Sequence, residues 1–174
     1  MDIQALQALN LSPEMIRAIQ DTGYEHFTPI QEKVIPVLMS GRDAIGQSST
    51  GTGKTAAFGI PAIELVQDPD DSPDPQVLVL CPTRELAMQV SDELRKFSKY
   101  KEGLRVVTVY GGQNIDTQIR ALKKSAIVVG TPGRVIDHLN RRTLKLSSIR
   151  LAILDEADEM LDMGFVDDIK RILY

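Results

Sequence analysis

The chain has 174 residues, a formal net charge of −4, a hydrophobic fraction of 43% and one cysteine. That length and apolar content suit one globular domain with a real core, and the negative balance argues against a globally basic nucleic-acid binder without excluding a local phosphate-contacting face. Cys81 alone excludes an internal disulfide and a cysteine-based metal cluster, no run of roughly 18 apolar residues marks a membrane span, and Met1-Asp2-Ile3-Gln4 lacks a secretory pattern; the expected compartment is the cytoplasm.

The first clear element is a helix over residues 12–20. Ser12 suits the N-cap, Pro13 the first helical position, and Met15, Ile16 and Ile19 share a face. A second helix is predicted from Thr28-Pro29 to about Met39, where Thr28-x-x-Gln31 also spells a capping box. Asp43-Ala44-Ile45-Gly46 reads as the end of a strand. Ser48-Ser49-Thr50-Gly51-Thr52-Gly53-Lys54-Thr55 follows, and then a helical pattern to about Gln67.

Strand, small-residue loop, Lys-Thr and helix is the layout of a phosphate-binding loop. Small residues let successive N–H groups curl inward, and the helix N-terminus adds its positive dipole end. Lys54 can then reach the terminal phosphates of a nucleotide and the Thr55 hydroxyl can ligate Mg²⁺. Ser48 stands where the strict pattern has glycine, so a plain turn before a helix is the competing reading.

Residues 68–75 are acidic and proline-rich and read as a solvated loop. Four apolar runs come next, Val77 to Cys81, Val106 to Val109, Ile127 to Val129 and Leu151 to Leu154. Near-continuous apolar character predicts strands covered on both faces. Helical patterns separate them at Arg84 to Phe97, Ile115 to Leu122 and Pro132 to Asn140. The alternation predicts an α/β fold, a mostly parallel sheet with helices on both faces. Cys81 ends an apolar run and reads as a buried, inert thiol, and His26 and His138 lack metal-ligand spacing and carry no assigned role.

The run Leu151 to Leu154 delivers Asp155-Glu156 at its carboxyl end, the edge where open α/β sheets bind ligands. Asp155 is placed to hold Mg²⁺ and Glu156 to orient and deprotonate an attacking water. The competing reading is an acidic strand end that caps the next helix.

Asp155-Glu156-Ala157-Asp158 is the tetrapeptide that names the DEAD-box ATP-dependent RNA helicases, and the chain resembles that family from about Leu6 onward. Tyr24 through Gln31 is similar to the Q motif, Ser48 to Thr55 to motif I, and Pro82-Thr83-Arg84-Glu85-Leu86-Ala87 to motif Ia. Gly111-Gly112 resembles the glycine doublet and Thr131-Pro132-Gly133-Arg134 motif Ib. Such ordered motifs are far more specific together than any one alone.

The resemblance implies a RecA-like P-loop domain. It implies ATP contacts from Tyr24, Thr28, Gln31, Ser49, Thr50, Gly51, Thr52, Gly53, Lys54 and Thr55, with Gln31 reading adenine. It implies Mg²⁺ at Thr55 and Asp155, catalysis by Glu156, Asp155 and Lys54, and coupling to a second domain through Asp158. The RNA path would run along Pro82, Thr83, Arg84, Gly111, Gly112, Thr131, Pro132, Gly133 and Arg134. Contacts to phosphate and sugar carry no base code, so binding should tolerate sequence.

Two departures stand out. Leu6 occupies the position where the family usually stacks an aromatic on adenine, and the sequence ends at Tyr174 without the Ser-Ala-Thr motif or a second RecA-like domain. Residues 1–174 are therefore expected to be an incomplete N-terminal domain with little activity alone. The resemblance implies that the strand before the missing motif lies between the phosphate-loop strand and the Asp-Glu strand, so that the open apolar edges either self-associate or collapse together and shift Asp155-Glu156 relative to Lys54. A DNA-directed relative and an inactive nucleotide-binding module remain the alternatives.

Overall fold

The computed structural model describes residues 8–47, 53–68 and 73–174. The chain forms two compact units, Met1–Leu65 with Asp92–Glu102, and Val66–Ser91 with Gly103–Tyr174.

In the first unit, helices α1 (Pro13–Asp21), α2 (Pro29–Met39) and α3 (Lys54–Leu65) pack with the carboxyl half of α4 (Arg84–Phe97). Ser12 caps α1 as predicted, its Oγ accepting from the Met15 N–H at 3.2 Å. The Ser12 backbone N–H and hydroxyl in turn donate to Glu64 at 3.0 and 2.8 Å, and Lys101 pairs with Glu64 at 3.0 Å. A cation and two donors thus satisfy a carboxylate whose side chain is 7% exposed. Met15, Ala18, Ile19, Ile35, Ile60, Ile63, Leu94 and Phe97 fill the apolar interior.

The expected strand end at Asp43 to Gly46 does not form. Residues 42–47 have no regular structure and Ile45 is fully exposed. They belong to the unit that has no strand among its described residues, so no ladder exists to hold them extended. Gly46 instead lies against Ile30 and Val34 of α2, where an added Cβ would sit 3.4 Å from each side chain.

The second unit carries the sheet. Strands β1 (Val77–Leu80), β2 (Val106–Val109), β3 (Ile127–Gly130) and β4 (Leu151–Leu154) lie in the order β2-β3-β1-β4, every pair parallel. Val77 is level with both Ile127 and Leu151, and Val106 with Ile127. Helices α5 (Ile115–Leu122), α6 (Pro132–Asn140), α7 (Ala157–Asp162) and α8 (Val166–Leu173) complete the unit. The central strands β1 and β3 are buried throughout, as their unbroken apolar runs require. The edge strand β4 departs from that expectation: its burial alternates, with Ala152 and Leu154 exposed. An edge strand has one neighbour, and one of its faces lacks cover among the described residues.

Two positions set the packing. Gln76 is 4% exposed and exchanges two bonds with the Gln67 backbone, at 2.8 and 3.0 Å, closing the acidic loop where it enters β1; residues 69–72 of that loop lie outside the described residues. Gly130 ends β3 where any Cβ would meet Val109 and Val135 side-chain atoms at 2.6 Å and the Val109 carbonyl at 3.0 Å. Gly130→Ala should therefore destabilise the protein by about 1–3 kcal/mol through overpacking. Chemical unfolding checks this, and a variant as stable as the parent contradicts the packing.

Candidate nucleotide and nucleic-acid site

The nucleotide side begins with Thr28 and Gln31, and the capping box is formed. The Thr28 N–H donates to Gln31 Oε1 at 3.0 Å, and the Gln31 N–H donates to Thr28 Oγ1 at 3.4 Å. Gln31 does more than cap. Its Nε2 donates to the Gly53 carbonyl at 3.1 Å, and the residue is 2% exposed. The Q-like stretch thus holds the last glycine of the phosphate-loop sequence. Gly53 has φ +79, and a Cβ there would come within 2.3 Å of Gln31 Nε2, so the position accepts glycine for both backbone and contact reasons. Lys54 and Thr55 open the 12-residue helix α3, at its positive end. Tyr24 packs its ring against Phe97 at 6.2 Å, and burial pushes its phenol above the usual range. Leu6 and the loop residues Ser48, Ser49, Thr50, Gly51 and Thr52 lie outside the described residues.

In the second unit, the strand carboxyl ends gather the other predicted residues. Each ladder continues one residue past its strand: Cys81 N–H donates to the Gly130 carbonyl at 2.9 Å, Thr131 N–H to the Val109 carbonyl at 3.1 Å, and Asp155 N–H to the Leu80 carbonyl at 2.9 Å. These bonds fix where the loops after β1, β3 and β4 leave the sheet. Pro82 is buried, and Thr83 caps α4 by accepting from the Leu86 N–H at 3.2 Å. Arg84 is exposed, with its guanidinium 5.0 Å over the Tyr110 ring. Gly112, at φ +89, lies beside it, and Gly111 and Gly112 are both exposed. Thr131 caps α6 by position but makes no side-chain cap bond, Pro132 takes the first turn, and Gly133 is exposed.

Beyond β4, Asp155 is 4% exposed and Glu156 is half-buried. Glu156 sits at φ 53, ψ 50, a left-handed conformation that costs a non-glycine residue about 1–2 kcal/mol. It is the residue before α7, with Asp158 exposed in the first turn. Cys81 is fully buried, and its thiol is pushed up by burial first and then by the charges of Asp155 and Glu156. Its burial agrees with the reading of Cys81 as a buried thiol.

Arg134 is held differently from Arg84. Its side chain is 14% exposed; Nη1 donates to the Gln113 carbonyl at 3.0 Å and to Gln118 Oε1 at 3.1 Å, and Nε lies 3.6 Å from Asp137. Gln118 and His138 had no role in the sequence reading. Both are buried, at 1% and 0% exposure, and His138 Nε2 lies 2.9 Å from Gln118 Oε1. A lone histidine and a lone glutamine carry no spacing signal, which is why they were missed.

His138 also generates a pH dependence. Burial first, then Arg134, holds its imidazole below the ordinary value of 6.5, while Asp137 opposes and Arg141 adds to the effect. The unfolded chain then takes up a proton near pH 6.5 that the folded chain refuses. Stability from this group is complete above that pH and lost as pH falls below it. Melting temperature should fall between pH 7 and pH 5, less steeply in His138→Phe; equal slopes contradict the assignment.

The comparisons agree with this architecture. The DEAD/DEAH box helicase family matches residues 28–174. The DEAD-box ATP-dependent RNA helicase CshA of Bacillus subtilis (strain 168) is 54% identical over 168 residues, 96% of this chain and 33% of that protein. The ATP-dependent RNA helicase CshA of Listeria monocytogenes serovar 1/2a is 56% identical over 164 residues, 94% of this chain and 31% of that protein. The chain thus spans about a third of the length of these relatives. Among solved structures, a DEAD box protein from the hyperthermophile Methanococcus jannaschii superposes with a TM-score of 0.87 at 49% identity, covering 94% of this chain and 44% of that one. A hypothetical ATP-dependent RNA helicase from Sulfolobus tokodaii gives 0.86 at 40% identity, covering 94% and 46%. With its all-parallel sheet, its ordered motifs and a match over more than four-fifths of its length, this chain belongs to the DEAD/DEAH box helicase family.

Proposed function

We propose that the chain is the ATP-binding, RNA-contacting part of an ATP-dependent RNA helicase, an enzyme that couples ATP hydrolysis to local opening of RNA duplexes. The observation that carries the reading is the common edge of the sheet: the loops after β1, β2 and β3 bring Arg84, Gly111, Gly112 and Thr131 to the end where β4 delivers Asp155 and Glu156. Family membership and the relatives' names support the same reading.

On the nucleotide side, the residues present fit ATP. Gly53 leaves no room for a side chain beside Gln31, and Lys54 opens a helix whose N–H groups favour anions. Ser49, Thr50, Gly51 and Thr52 belong to the same motif, and Tyr24, Thr28 and Gln31 complete the assignment. The Thr55 hydroxyl and Asp155 carboxylate are hard oxygen donors of the kind Mg²⁺ takes alongside phosphates, and the ion would offset phosphate charge. Lys54 pairs with phosphate oxygens, Glu156 takes a proton from water, and Asp158 couples to a second RecA-like domain.

On the RNA side, Pro82, Thr83, Arg84, Gly111, Gly112, Thr131, Pro132 and Gly133 form a face that contacts phosphate and sugar rather than base edges, and Arg134 belongs to that face from within the protein. Glycines permit close backbone approach, and the start of α6 offers N–H groups. Further partners are the second RecA-like domain and a second copy of the chain through β4, whose Leu154 is exposed. The compartment is the cytoplasm, consistent with no described helix being long and apolar enough to cross a membrane.

Lys54→Ala should weaken ATP binding by about 1.5–3 kcal/mol through loss of charge-assisted bonds; calorimetry showing parent affinity contradicts the phosphate role. Gln31→Ala should narrow the preference for adenine over guanine nucleotides, whereas a variant that only loses stability leaves the glutamine as a cap. This chain alone should hydrolyse ATP slowly. Extended by a second domain, it should gain RNA-stimulated turnover, which Glu156→Gln removes while nucleotide binding persists. Near-parent turnover in that variant removes Glu156 from the base role.

A further inference from the structure

Gln118 uses its whole hydrogen-bonding capacity inside the protein. Its Nε2 donates to the Tyr110 carbonyl at 2.9 Å and to Gln113 Oε1 at 2.8 Å. Its Oε1 accepts from Arg134 Nη1 at 3.1 Å and faces His138 Nε2 at 2.9 Å. Arg134 can only donate, so the facing atom of Gln118 is the oxygen, and His138 Nε2 must carry a proton. Neutral His138 then accepts at Nδ1 from the Thr143 hydroxyl, 2.8 Å away, whose one proton is shared with the His138 carbonyl at 3.2 Å. The chain Thr143–His138–Gln118–Arg134 is thereby directional, and every amide valence of Gln118 is spent.

Its output is a loop. Gln118 and Arg134 between them hold the Tyr110 carbonyl, the Gln113 side chain and the Gln113 carbonyl, the last from Arg134 Nη1 at 3.0 Å. Between those anchors Gly111 and Gly112 stay exposed, with Gly112 at φ +89. Glycines alone would leave that backbone loose. Arg84, by contrast, presents its guanidinium at the surface over Tyr110.

We propose that Gln118, oriented by His138, is a positioning residue for RNA binding: it locks Arg134 into the protein as a brace for the Gly111-Gly112 loop, and leaves Arg84 as the phosphate-facing cation of that face. This rests on the RNA reading above. It gives Arg134 a geometric role, in which the planar fork matters more than the charge.

Fluorescence anisotropy with labelled single-stranded oligouridine, across a salt series and well below the melting temperature, tests it. Arg84→Ala should weaken binding and lower the slope of log affinity against log salt by about one phosphate. Gln118→Met should weaken binding roughly 2- to 30-fold with the slope unchanged, and should speed amide exchange at Gly111 and Gly112. Arg134→Lys should behave like Gln118→Met, because a point charge cannot bridge Gln113 and Gln118. His138→Phe should give a smaller loss in the same direction, and decides the matter if Gln118→Met does not fold. Ser91→Ala, which removes a 2.6 Å hydroxyl bond from Thr108 elsewhere in this unit, should lower stability without moving RNA affinity. Parent-like affinity in Gln118→Met or His138→Phe, or a slope in Arg134→Lys lowered like that of Arg84→Ala, overturns the proposal. If Arg84→Ala also binds like the parent, or the parent does not bind, the RNA reading falls and the positioning role with it.

Discussion

The constraint on which the site depends is the parallel ladder at its carboxyl end. Parallel strands in register end level with one another, and here the ladder runs one residue further, through the N–H groups of Cys81, Thr131 and Asp155. A one-residue slip would turn each following side chain to the opposite face. Burial of β1 and β3 on both sides fixes the register, so apolar packing ultimately decides where Arg84, Thr131 and Glu156 begin. The close fit at Gly130, against Val109 and Val135, is where core and site meet.

Of the four non-glycine residues with left-handed backbone among the described residues, Asn10, Lys124, Arg142 and Glu156, the last lies on that same edge. Glu156 adopts a left-handed backbone without being glycine, directly after a buried Asp155 whose N–H is tied into the ladder. Strain of this kind persists only where surrounding structure over-determines it. The strand before and α7 after Glu156 supply that determination. The Gly111-Gly112 loop solves the opposite problem, being freely flexible by composition and held by Gln118 and Arg134 from beneath.

Much of this was legible in the sequence, for local reasons. The bounds of α2, with Thr28 and Gln31 as its capping box, follow from cap chemistry. The bounds of α4, α5, α6, β2 and β4 follow from apolar periodicity ended by polar turns. What failed was non-local. Asp43 to Gly46 has strand-like composition, but a strand requires a partner, and that stretch stays exposed and irregular, with only Gly46 shown against α2. β4 reads as a buried strand, yet alternates because it is an edge. Gln118 and His138, 20 residues apart, become a pair only through folding. Gln31 was legible twice, as cap and as motif residue, and the bond to the Gly53 carbonyl shows how one side chain can serve α2 and the phosphate-loop sequence together.

The central claim is that the loops leaving the carboxyl edge of the sheet form a backbone-reading RNA face. Amide hydrogen exchange on this chain, with and without short single-stranded oligouridine, addresses it most directly. The account predicts slower exchange at residues 83–86, 110–113 and 131–135, with α1 unchanged. Exchange that RNA leaves unaltered in those three segments, or slowing confined to α1, would contradict it.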